Sequence, residues 1–432
     1  MNTGATRHIV VVGAGWAGLA AAVRLVQCGL HVSIMEMAPH PGGRARSLDR
    51  DGQTLDNGQH ILIGAYTETL ALMRQVGADP DVLLRRLPLT LRRPGQRGLQ
   101  LPPGPAVPAF VRGVLACSDW SRAERLALLR TAAGWALRGF RCAPDTTVAQ
   151  LCQRLPARVQ ADLIEPLCVA ALNTPAAHAS GEVLLRVLHD ALFSGPGAAD
   201  LLLPRAPLDH LLPRPALAWL QSRGASVQLG RRVQHLHRTV DGWSVDGDPA
   251  DAVVLAASAA ESARLAAAAS PTWAACATEL TYEPIVTVYA DAAGAQLEAP
   301  MLALPADDHR HLAQFVFDLG ALGGTDGRLA FVTSGAAPWV AAGREAIESA
   351  TLAQARAAWP SAHWVDGLTV RQVLIEKRAT FRCTPALQRP SSRIAPGLWA
   401  AGDHVAGPYP ATLEGAVRSG LLAAEGVLAE SA

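Results

Sequence analysis

Residues 7–60, RHIVVVGAGWAGLAAAVRLVQCGLHVSIMEMAPHPGGRARSLDRDGQTLDNGQH, confine the start of this chain to one kind of fold. An apolar run from Ile9 to Val12 reads as a buried strand that runs directly into Gly13, Gly15 and Gly18. Helical periodicity follows through Leu19, Val23 and Val26, and a second strand ends at Glu36. Each glycine has its own task. Gly13 permits a tight strand-to-helix turn, Gly15 lets backbone N–H groups approach a pyrophosphate, and Gly18 lets the helix pack closely on the sheet. The positive helix end, with Ala14, Trp16 and Ala17 between the glycines, then faces the phosphates. Glu36, followed by Met37, lies eighteen residues beyond Gly18. That is near the roughly 20-residue offset at which a carboxylate accepts hydrogen bonds from an adenosine ribose.

Glycine-rich strand ends also arise by chance, so the following segment carries weight. Pro41-Gly42-Gly43-Arg44 adds two permissive residues and a cation just past the ribose carboxylate, where a second approach to the pyrophosphate is needed. NAD dehydrogenases do not need that feature. The expected cofactor is FAD, and the expected fold is α/β, with an FAD-binding Rossmann-like domain of glutathione-reductase type.

At 432 residues and 50% hydrophobic content, the chain exceeds one compact unit, and two domains are expected. Lys and Arg total 38 against 37 Asp and Glu, which leaves no electrostatic footprint for nucleic acid. Seven scattered cysteines form no CxxC pair and lie near no histidine cluster, so neither a metal site nor a disulfide framework is expected, and a reducing cytoplasm fits. No uncharged run reaches the roughly 18 residues of a membrane span.

Nucleotide-type sequence returns twice. Residues 225–257 read as short strands joined at Asp241-Gly242 and ending in a buried strand from Ala252 to Ala256, which suits an adenine-side wall. Residues 398–427 read as a strand, a glycine turn and a helix with Leu413, Val417 and Leu421 on one stripe. The cofactor domain is therefore expected from segments 1–80, 211–274 and 391–432, interleaved with an α+β substrate domain from 81–210 and 275–390. In the first insert, Ser121 to Glu124 has capping-box form and opens a helix with Leu126, Leu129, Ala133, Leu137 and Phe140 on one stripe and Arg130, Arg138 and Arg141 beside it. A core helix with a solvated arginine edge is the plainer reading; a helix resting on a membrane surface is the other. The glycines at 320–327 sit between strand-like segments and open no helix, so they read as a loop. Without a second dinucleotide fold, electrons must pass by substrate, oxygen or a separate donor.

VVGAGWAGLAAA, Glu36, PGGRARS, DNGQH and AAGDHVAGPYPATLEGAVRSG together resemble the FAD-dependent amine oxidase and phytoene desaturase superfamily. DNGQHILIGAYTETLALMRQVG, EPLCVAALNTP, LLLPRAPLDHLLPRPALAWL and EKRATF are similar more narrowly to the hydroxysqualene dehydroxylases of bacterial squalene and hopanoid biosynthesis. The resemblance implies that Asp403 of Gly402-Asp403 binds the ribityl chain or phosphate, and that the helix near Ala411, Thr412 and Leu413 faces the flavin O2 edge. It implies that Val233 contacts the adenine region through its backbone, and that the loop from Asp56 through Gly58, Gln59 and His60 passes beside flavin N5. His404 and Tyr409-Pro410 depart from the usual GDW and Leu-Pro, so the active-site wall differs there.

The implied substrate is hydroxysqualene, an allylic alcohol. Loss of its hydroxyl needs a proton donor, and hydride from reduced FAD would complete squalene. Candidates near the leaving oxygen are His60, Tyr409 and Asn173, with Asp318 and Glu283 in reserve. Each has a plainer reading: His60 bonding its own loop, Tyr409 as an aromatic wall, Asn173 as a turn or cap. Implied partners are an external electron donor, a squalene synthase-like upstream enzyme, and contact with the inner face of the cytoplasmic membrane. A desaturase running the flavin the other way is one alternative. An amine oxidase is another, and it would need the chain's sole lysine, Lys377, near the flavin.

Overall fold

The computed structural model describes residues 7–50, 52–306 and 311–430. Its six-stranded sheet has the order Ser226–Leu229, His31–Glu36, His8–Val12, Ala252–Leu255, Leu398–Ala400, Arg393–Ala395; only the last strand is antiparallel. His8–Val12 is buried on both faces, as a central parallel strand requires. Ile9 and Val11 enter one apolar cluster, and Val10 and Val12 enter another.

On the Ile9 face the first helix, Trp16–Gln27, packs against the closing helix, Leu413–Ala429. Their seam is made of small residues. A Cβ on Gly420 would stand 2.1 Å from the Ala17 carbonyl oxygen, so the two backbones approach more closely than any other side chain allows. Val417, Ala423 and Ala424 complete the buried face, whereas Leu413 and Leu421 of the expected stripe are only half-buried. Beside the Val10 face, Leu236–Arg238, Trp243–Val245 and Asp248–Ala250 form an antiparallel sheet that turns at Asp241-Gly242.

A second, five-stranded antiparallel sheet has the order Met301–Ala303, Phe315–Asp318, Arg328–Thr333, Tyr282–Asp291, Thr369–Phe381. Period-two alternation divides its side chains cleanly. Val286, Val288, Val316, Phe331 and Val373 pack with Ile347, Ala355, Trp359 and Trp364 behind the sheet. Ile285, Thr287, Phe315, Phe317, Val332 and Leu374 point the other way, into a cavity. Residues 320–327 form the connection between two of these strands.

Helix Arg122–Leu137 begins with the expected capping box, in which Ser121 and Glu124 bond each other's backbone N–H groups. Its expected apolar stripe faces inward only in part: Leu129 and Phe140 pack against the core. Leu128 and Trp135 are buried, contributing roughly 2–3 kcal/mol each, whereas Leu126, Ala133 and Leu137 are exposed. Leucine occurs on both sides of this helix, so periodicity alone could not choose the inward face. Among the described residues, no helix is long and apolar enough to cross a membrane.

Candidate functional site

A single cavity of about 770 Å³ runs from the glycine turn of the six-stranded sheet to the five-stranded sheet. Its two halves differ chemically. Gly13, Gly15, Glu36, Gly42, Gly43 and Arg44 line one end; the other is walled by Leu99, Leu101, Phe110, Leu128, Trp135, Leu163, Leu167 and the apolar face of the second sheet.

The cradle end fits FAD on several observations. Helix Trp16–Gln27 starts at Gly15 with no side-chain cap, so its first N–H groups are left to a ligand. A Cβ on Gly15 would meet only Gly43 Cα, at 3.8 Å, and would project into the cradle. Gly18 has a different purpose: its Cβ would lie 2.0 Å from the Gly13 carbonyl oxygen. Glu36 accepts the Ala14 N–H on Oε2 and the Ala38 N–H on Oε1, both at 2.7 Å. Each oxygen keeps a further lone pair for ribose hydroxyls.

Every expected cofactor residue except Ala14 and Gly18 lines the cavity: Met37, Gly58, Gln59, Val233, Gly402 and Asp403 do, as do Ala411, Thr412 and Leu413. Val233 lines the cavity, and its carbonyl is held by Arg264. Arg44 and Asp403 pair with each other, and Arg44 also donates to the Ala379 carbonyl at 2.7 Å. The expected phosphate-side cation is thus locked to a carboxylate from the far end of the chain. His404 is folded against Gly402, where a Cβ would stand 2.4 Å from the imidazole. Burial pushes the His404 imidazole down to about 4, and the nearby Arg44 and Arg389 add to the shift. Among the described residues its Nε2 has no partner, so a cofactor oxygen would satisfy an otherwise costly buried group. Ala411 holds the left-handed conformation at φ 57°, and Thr412 caps the closing helix by accepting the Gly415 N–H at 2.9 Å.

The candidates for the leaving oxygen separate. His60 lines the cavity, and its Nδ1–H donates to the Gly58 carbonyl at 3.1 Å. Burial, with Arg44 nearby, depresses its pKa, so the ring is neutral and presents Nε2 as an acceptor. Tyr409 lines the same cavity between two guanidiniums, Arg186 at 5.5 Å and Arg418 at 4.9 Å from its ring centre. Asn173 touches the cavity, but its amide is engaged elsewhere. It is the left-handed C-cap of Glu165–Leu172, donates to the Glu283 carbonyl and Thr380 hydroxyl, and accepts the Gly335 N–H. Asp318 and Glu283 lie outside the lining and bind backbone N–H groups, Glu283 also pairing with Arg382 at 2.7 Å.

Sequence reasoning missed Asp190. It is buried in the cavity wall, takes Arg186 at 2.7 Å and His189 at 2.9 Å, and faces the Tyr409 hydroxyl. Its signal was a carboxylate on the stripe Val183, Val187, Asp190, Ala191, apolar at every other position. Burial alone would raise Asp190, but the bonds from Arg186, His189 and Tyr409 outweigh it and hold the carboxyl below its ordinary value.

The family model described as flavin containing amine oxidoreductase matches residues 16–428. The chain is 27% identical to hydroxysqualene dehydroxylase of Rhodopseudomonas palustris over 98% of this chain and 99% of the relative. It is 26% identical to that of Sinorhizobium fredii over the same shares. A zeta-carotene desaturase of Zea mays is 37% identical, but over only 18% of this chain and 14% of its own length. The fold is that of an oxidoreductase from Methanosarcina mazei, with a TM-score of 0.74 and 18% identity over 97% of this chain and all of that one.

Proposed function

The chain belongs to the flavin containing amine oxidoreductase family and is an FAD-dependent oxidoreductase; from that premise we propose that it removes the hydroxyl of hydroxysqualene to give squalene. One observation carries this reading: the dinucleotide cradle opens directly into a large apolar chamber with few polar groups. Such a chamber suits a polyprenoid with one oxygen. When bound, FAD would supply hydride to the carbon that loses that oxygen.

The protein's part is to hold the chain, exclude water and manage one proton. The neutral His60 Nε2 accepts the substrate hydroxyl hydrogen and orients the C–O bond. The Tyr409 hydroxyl gives its proton to the departing oxygen, which leaves as water. This transfer runs downhill, because hydroxide is the conjugate base of water, of pKa about 15.7. Arg186 and Arg418 flank the ring and stabilise the phenolate that results. Asp190 links Tyr409 to the half-exposed His189, which returns the proton from solvent. The connection at 320–327 opens no helix, so reducing equivalents come from a separate donor.

Two alternatives fare less well. The desaturase relative aligns over a short stretch only. An amine oxidase would want Lys377 at the flavin, but Glu376 and Arg378 face the cavity and the intervening lysine is exposed on the other side. The test is anaerobic mixing of reduced holoprotein with hydroxysqualene. Flavin absorbance near roughly 450 nm should return as squalene forms. Bleaching of oxidised flavin by a polyprenoid hydrocarbon would identify a desaturase.

A further inference from the structure

Two neighbouring helices, Ala106–Ala116 and Arg122–Leu137, wall the apolar half of the cavity, and each is apolar on both sides. Phe110, Leu128 and Trp135 face inward. Outward stand Val107, Val111 and Leu115, at helical spacing and 40%, 37% and 53% exposed. On the neighbouring helix Leu126 and Leu137 are exposed as well, at 46% and 90%. Single exposed leucines need no explanation, but a run of them on two packed helices marks a docking surface.

Charge selects the partner. From residue 106 to residue 141 the chain has six arginines and only two carboxylates, Asp119 and Glu124. Both carboxylates are engaged: Asp119 accepts the Gly98 N–H and Glu124 serves its capping box. By helical spacing Arg122 and Arg130 flank the Leu126 and Leu137 stripe. A second copy of this face would bring two arginine-rich surfaces together and be repelled, whereas an anionic lipid surface accepts both the leucines and the arginines.

We propose that the outer face of this helix pair docks on a bilayer bearing anionic headgroups, so that one layer of helix separates the acyl region from the cavity. Entry of a polyprenoid through that layer rests on the function proposed above; docking does not. At the cavity rim Phe140 packs edge-on against the exposed Phe193, with ring centres 5.5 Å apart, which marks an apolar way in.

The test is flotation of flavin-loaded protein with vesicles of phosphatidylglycerol and phosphatidylethanolamine, against phosphatidylcholine alone. Wild type should float with the anionic vesicles, and its binding should fall as salt rises. Leu126→Asp with Leu137→Asp should lose binding at least about ten-fold while keeping Tm, flavin absorbance and turnover of detergent-dispersed substrate. Should that pair misfold, Arg122→Ala with Arg130→Ala reads the same surface through a weaker salt dependence. Wild type that ignores anionic vesicles at low salt, variants that bind like wild type, or a concentration-dependent dimer abolished by the leucine changes would each overturn the proposal. Loss of vesicle binding with turnover intact, and loss of turnover with binding intact, distinguish this surface from the reaction.

Discussion

The carboxylate of Glu414 holds Thr69 twice, accepting its backbone N–H at 2.9 Å and its hydroxyl at 2.7 Å. Glu414 is fully buried, and it also accepts the Glu68 N–H and pairs with Arg418 at 2.7 Å. The closing helix thereby caps helix Thr67–Gln75, whose own N-cap, Tyr66, supplies no side-chain cap. Glu414→Ala should cost about 3 kcal/mol of unfolding free energy in urea, because it strips the acceptor from the buried Thr69 N–H and hydroxyl and the half-buried Glu68 N–H, and leaves Arg418 with only Thr67. Glu414→Gln, which keeps one acceptor, should cost about half as much. A loss under about 0.5 kcal/mol for the alanine variant would show that the cap is dispensable.

Gly15 and Gly18 should fail in different ways. Gly15 has φ −75° and room for a methyl group, so Gly15→Ala should leave the Tm of flavin-free protein unchanged while weakening FAD binding by ten-fold or more, about 1.4 kcal/mol. Gly18→Ala drives its methyl into the Gly13 carbonyl and should lower the Tm of the flavin-free protein itself. Equal effects of the two changes on apoprotein stability would contradict this division of labour.

The glycine turn, Glu36 and the closing segment were legible because backbone geometry dictates their spacing, and strands 226–229, 252–255 and 398–400 do join His8–Val12 in one sheet. The facing of Arg122–Leu137 was illegible because Leu126 and Leu128 are equally apolar, and only the cavity decides which turns inward. The pairing of Arg44 with Asp403 spans most of the chain, so each residue read separately as a ligand group. Asp190 belongs to no motif; its role emerges only where its helix meets Tyr409.

Asp56 and His404 should give opposite slopes of stability with pH in flavin-free protein. Burial raises the Asp56 carboxyl from 3.8 to about 6, so its contribution is full below pH 3.8 and lost as pH rises through 6. Burial lowers His404 from 6.5 to about 4, so its contribution is full above pH 6.5 and lost as pH falls through 4. Each slope amounts to roughly 3 kcal/mol at most, and between pH 4 and 6 they largely cancel. Urea unfolding of His404→Gln should therefore show stability falling from pH 4 to 6, and Asp56→Asn should show it rising. Parallel profiles in the two variants would refute the assignment.

Tyr409 is set apart from His60 by which atom holds a proton. His60 is a neutral ring whose single N–H is committed to Gly58 and cannot swing away, whereas the Tyr409 O–H, which bonds Asp190, can rotate toward a substrate oxygen. Burial, and then Asp190, raise the Tyr409 hydroxyl above its ordinary value, so it stays protonated throughout the working pH range. Tyr409→Phe removes that proton but keeps the ring between Arg186 and Arg418, so flavin binding and KM should change little while kcat falls about 10²-fold or more. Asp190→Asn should lower kcat less at low pH than at high pH, since a proton arriving from solvent matters most when protons are scarce. His60→Gln should raise KM more than it lowers kcat, as loss of an orienting acceptor predicts. A Tyr409→Phe enzyme within about three-fold of wild-type kcat would move the proton donor elsewhere in the cavity.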